Sequence, residues 1–111
     1  MQSDRLSVRS WPEGQPPTEA AIRRLFDADG LQPYPWSNAP GDIYAVHSHA
    51  YHKVIYVVKD SITFGLPDEG WQVTLYPGDR LELAPGVAHD AVVGPKGVVC
   101  LEAHRPDLKG L

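Results

Sequence analysis

From residue 32 onward, apolar positions recur at every second residue in runs too short for helices. The runs fall at 54–59, 61–66, 71–76, 80–83, 91–93 and 98–103. Between them stand 59–60, 67–70, 77–79, 84–86 and 94–97, each with a Gly, Pro or Asp suited to a turn. Ahead of them, 32–49 reads as extended chain with a turn at Asn38-Ala39-Pro40-Gly41. Short strands at this spacing predict an antiparallel sandwich or barrel, with no βαβ units.

One segment has the helical period instead. Ala21, Ile22, Leu25 and Phe26 form an apolar stripe, Thr18 is a suitable N-cap, Glu19 sits in the first turn, and Gly30 is a natural stop. The chain therefore divides into an N-terminal arm (1–17), a short helix (18–30) that covers a sheet edge or barrel end, and an all-β domain (31–111).

Composition narrows the setting. At 111 residues one domain with one core is expected. Net charge is -4 and no basic cluster exceeds Arg23-Arg24, which excludes a nucleic-acid phosphate backbone as partner. No apolar run approaches the roughly 20 residues that span a bilayer, so no membrane partner is expected. The first residues lack the apolar core of a secretory signal. The single cysteine, Cys100, reads as a buried small hydrophobe, and a reducing cytoplasm is its simplest home.

The candidate chemistry lies in GDIYAVHSHAYHKV, residues 41–54, which hold three of the five histidines. Alternate residues of a strand share a face, so Ile43, Ala45, His47 and His49 group together, with Tyr44, Val46 and Ser48 on the other side. Two imidazoles two residues apart are close enough to hold one ion, and transition metals accept imidazole nitrogen at about 2.0–2.1 Å. His89, after the turn at 84–86, is the best third donor. Such pairs also occur on exposed strands, so spacing alone leaves metal binding open. By the same parity His52 points outward into solvent, unless a bulge at Ala50-Tyr51 turns it inward and Lys53 outward. His104, in the terminal segment, reads as solvated. Glu82 and Glu102 lie on strands that can reach the interior, with no way to fix the face of Glu102.

At these residues the sequence resembles the cupins, small β-barrel proteins. Their first motif runs glycine, five residues, His-x-His, three or four residues, glutamate, six residues, glycine; Gly41, His47 and His49 fit it. Their second runs glycine, five residues, proline, one residue, glycine, two residues, histidine, three residues, asparagine; Gly78, Gly86 and His89 fit. Asp60 replaces the closing glycine, Ala84 the proline, with Pro85 one residue on, and Val93 the asparagine. Lys53 stands in the place of the glutamate.

The resemblance implies an antiparallel double-stranded β-helix, or jelly roll, with His47, His49 and His89 as ligands of a divalent Fe, Mn, Ni or Zn ion. It also implies a homodimer, for which the arm 1–17 is a candidate contact. The fourth ligand fails at Lys53. An ammonium about 5 Å from a divalent ion is repelled by roughly 6 kcal/mol at an effective dielectric near 20. Loss of the Lys53 proton, an anion lodged between the two charges, or absence of the metal would each relieve this. The second outcome suits an anionic small molecule whose oxygen the metal polarises, with Lys53 as catalytic base. Oxygenase, isomerase and decarboxylase chemistry all fit this expectation. The alternatives are a non-catalytic binding or sensor barrel, with Lys53 merely plugging its mouth, and a barrel with a decayed site that serves assembly.

Overall fold

The computed structural model describes residues 5–12 and 14–105. Seven strands and one α-helix follow in the order β1 (Leu6–Arg9), α1 (Glu19–Ala28), β2 (Tyr34–Asn38), β3 (Ile43–His47), β4 (His52–Leu66), β5 (Trp71–Leu75), β6 (Arg80–Leu83) and β7 (His89–Arg105), with a single 3-10 turn, Pro67–Glu69, between β4 and β5. All pairings are antiparallel.

Two long strands make the architecture. The first part of β4 and the last part of β7 pair with each other, flanked by β6 with β1 on one side and β2 on the other. The last part of β4 and the first part of β7 also pair, flanked by β5 and β3. One pair of strands thus passes from one sheet into the next, and the apolar inner faces close on each other as a jelly-roll barrel.

The passage occurs where the sequence predicts turns. Residues 59–60 and 94–97 do not reverse the chain; they lie within β4 and β7. Register shifts at Val57/Lys59 and Asp60/Ile62 mark bulges, which bend a strand without ending it. Asp60 takes φ 66° there, a left-handed conformation Asp tolerates better than most residues and the reason glycine suits this motif position. The motif glycine Gly86 has φ 81° for the same reason, and its N–H donates to the His49 carbonyl at 2.8 Å, tying the two histidine segments together.

Strand parity sorts the burial. On β4 the odd residues Ile55 and Val57 enter the barrel core with Leu81, Leu83, Phe64 and Cys100. The even residues Val54 and Tyr56 face α1 and pack with Ile22, Phe26, Leu101 and Ala103. The helix is capped as the sequence predicts, Thr18 Oγ1 accepting from Ala21 N–H at 3.1 Å. Residues 6–9, read from sequence as part of an extended arm, form β1 against β6 with Leu6 and Ser7 buried. No helix among the described residues is long and apolar enough to cross a membrane.

Phe26 is 1% exposed and meets Tyr56 edge to face at 5.3 Å. Phe26→Ala is expected to lower the unfolding free energy by about 3–5 kcal/mol. Urea denaturation followed by circular dichroism measures this, and a loss under about 1 kcal/mol would show that α1 is not part of the cooperative unit.

Candidate metal and anion site

The three imidazoles come together. One ring nitrogen from each of His47, His49 and His89 lies within 4.8 Å of the others. His47 ends β3, His89 opens β7, and the two are register partners, so their meeting is a cross-strand contact. His49 follows in the loop that Gly86 holds. Donors around an ion with bonds near 2.1 Å stand about 3.0–3.4 Å apart, and modest ring rotation would close the difference.

Local hydrogen bonds fix two tautomers. His47 Nδ1 is 2.7 Å from the Ala45 carbonyl and His89 Nδ1 is 2.9 Å from that of Val87. A carbonyl only accepts, so each Nδ1 carries the proton and each Nε2 keeps its lone pair free. His89 Nε2 and His49 Nε2 are buried without a hydrogen-bond partner. Buried polar atoms rarely stay unsatisfied, and His89 Nε2, unprotonated in this tautomer, lacks an electron-pair acceptor. The donor set therefore fits a divalent transition metal. Burial holds His89 neutral, lowering it from 6.5 to about 4 against the contrary pull of the Val87 carbonyl, and Lys53 adds to the shift. His49 is lowered too, by burial first and then by Lys53 and His47.

Lys53 faces this cluster, as strand parity predicts, and resolves the charge problem in a way the sequence left unseen. Its Nζ lies 3.6 Å from Glu102 Oε1, with the two side chains 11% and 5% exposed. The anion beside the ammonium is the protein's own. Glu102 also accepts from the Tyr34 hydroxyl at 2.5 Å and from Trp36 Nε1–H at 3.0 Å. His104 Nε2 lies 3.0 Å from Oε2 and 3.1 Å from the phenol oxygen. Burial first, and then the bond to Glu102, push the Tyr34 phenol far above its ordinary value, so it stays a donor.

The three histidines, Lys53, Glu102 and Tyr34 line one pocket of about 250 Å³, to which Ile62, Phe64 and Ala91 add apolar surface. That is below the roughly 300–1,000 Å³ of drug-sized pockets, and suits a small metabolite.

Three expectations from sequence are corrected. His52 is not solvated: it is fully buried on the outer face of β4, its Nε2 3.0 Å from Glu82 Oε1, within a cluster containing Arg80 and Arg105. Glu82 belongs to that cluster and not to the pocket. His104 is exposed, as expected, and is also held against Glu102 and stacked on Tyr51. Tyr44 lines the pocket beside His47 although simple alternation puts it on the other face, and Ile43, grouped with the histidines, is 75% exposed. A bulge between Tyr44 and His47 adds one residue to β3 and inverts the alternation. Cys100 is buried as expected, and burial pushes its thiol up to about 12.

Comparison with protein-family models and with curated proteins gives no match. Solved structures do match. An RmlC-like cupin from Shewanella frigidimarina is 28% identical over 68% of this chain and 66% of its own, with a TM-score of 0.59. KdgF from Halomonas sp. is 30% identical over 69% of this chain and 71% of its own, with a TM-score of 0.53. The chain belongs to the cupin superfamily. The DMSP lyase DddQ from Ruegeria pomeroyi, 20% identical at a TM-score of 0.62, shares the fold; it matches 96% of this chain, which spans about half of the lyase's own length at 49%.

Two measurements probe the site's electrostatics. In chelated, metal-free protein the unfolded chain takes up a histidine proton near pH 6.5 and the folded chain only near pH 4, so stability falls as pH drops through this window. The loss attributable to His89 is at most about 3 kcal/mol, and His89→Asn should flatten the stability profile between those limits. Separately, Glu102→Gln should cost about 3 kcal/mol by leaving the Lys53 ammonium buried and unpaired. Adding Lys53→Met should recover part of that; equal losses in the single and double variants would show that the pair is not coupled.

Proposed function

We propose that this protein is a metal-dependent cupin enzyme that binds a small anionic molecule and moves a proton on it, in an isomerase- or decarboxylase-type reaction. The observation that carries this reading is the pair of buried, unpartnered imidazole nitrogens beside His47, in a pocket that also holds a charged and proton-bearing wall. His47, His49 and His89 would hold the ion. A divalent ion there supplies Lewis-acid polarisation of a substrate oxygen.

The remaining roles belong to the chain itself. The Lys53 ammonium attracts a carboxylate, phosphate or enolate oxygen, and Glu102 holds that ammonium in place. Tyr34 donates a hydrogen bond from the pocket wall. Tyr34, Glu102 and His104 form a hydrogen-bonded row that leads from the pocket to a side chain 36% exposed, a path by which a proton can exchange with solvent. This row favours proton-transfer chemistry over oxygenation. Ile62, Phe64 and Ala91 give the rest of the pocket an apolar lining.

Metal analysis of protein purified without an affinity tag tests the reading. About one equivalent of Fe, Mn, Ni or Zn is expected, lost in His47→Ala and in His89→Ala with the circular dichroism spectrum retained. Protein that is metal-free as purified and takes up none of these ions on titration would sink the enzyme reading and favour a binding barrel.

A further inference from the structure

We propose that Tyr51 is a positioning residue for the metal site, the middle ring of a three-ring column that sets the orientation of His49; the inference rests on the metal reading above. The three imidazoles are not held alike. His47 and His89 are each clamped by a Nδ1–H bond to the carbonyl two residues earlier. His49 has no such clamp, and among the described residues neither of its ring nitrogens has a hydrogen-bond partner. An imidazole ligand without an outer bond is free to turn about its side-chain torsions, which weakens a site that needs all three rings at once.

Stacking does the work instead. The His49 ring lies on Tyr51 with centroids 4.8 Å apart and planes 23° apart. Tyr51 lies in turn on His104, at 3.6 Å and 21°. His104 is fixed by its 3.0 Å contact with Glu102, and Glu102 by Trp36 and Tyr34. The column therefore runs from the metal cluster to the buried carboxylate. Offset stacking limits ring tilt yet leaves in-plane sliding, which matches a ligand that must draw inward when an ion arrives. It also ties the ligand set to the Lys53–Glu102 wall, so that the two halves of the pocket share one support.

The test is a Co²⁺ titration of untagged, chelator-stripped protein, read by the visible d–d absorption of the bound ion, with circular dichroism as a control for folding. Loss of an outer support of a metal-binding histidine typically weakens affinity about 10–100-fold. Tyr51→Ala should raise the Co²⁺ Kd at least about 10-fold and alter the band shape. Tyr51→Phe should stay within about threefold of the parent, because the ring and not the hydroxyl makes the contact. Tyr51→Leu, which keeps bulk without a π face, should resemble Tyr51→Ala and serves if the alanine variant fails to fold. A leucine or alanine variant with parental affinity and spectrum would overturn the inference while leaving the metal reading intact. A parent protein that takes up no Co²⁺ would overturn the metal reading and this inference with it.

Discussion

Glu102 is 4% exposed on the inner face of β7, and hydrogen-bond donors or cations reach it from β2, β4 and its own strand. A buried carboxylate is costly unless its charge is paired and its lone pairs are satisfied. Here the cost is offset by Lys53, Tyr34, Trp36 and His104 together, and each of those side chains is ordered by meeting it. The position of Lys53 relative to the histidines, the direction of the Tyr34 hydroxyl and the footing of the Tyr51 column all follow from where this one group sits. Ionised side chains that shield one another allow an ammonium to stand in a place where three imidazoles gather.

The barrel supplies the rigidity this requires. Tyr34 is the register partner of Glu102, and Lys53 that of His104, so the wall of the pocket is a set of cross-strand neighbours on one sheet face. On the other side of that sheet His52, Arg80, Glu82 and Arg105 make a second polar cluster that lies outside the pocket. Even the polar residues thus obey the alternation that separates the barrel core from the layer beneath α1.

How much of this could be read from the chain follows from the range of each interaction. The helix with its Thr18 cap was legible because capping and apolar periodicity are local. His47, His49, His89 and the inward face of Lys53 were legible from motif spacing and alternation. Glu102 was not: Val98, Cys100 and Glu102 share a face, but which face depends on the pairing of Ile55 with Glu102, 47 residues apart in sequence. His52 points away from the pocket as alternation says, but that face is covered and not wet. Tyr44 was misplaced because a bulge carries no sure signature in sequence. The turn residues at 59–60 and 94–97 were recognised, but glycine, proline and aspartate favour a bend within a strand as readily as a reversal.

The exchange of an acidic ligand for Lys53 has a consequence for how such a chain can diversify. Lys53→Glu alone places a second carboxylate beside Glu102 and removes the cation that neutralises it. Losing Glu102 alone strands the ammonium. Each single change leaves one member of the pair without its counter-charge, so the two positions are coupled.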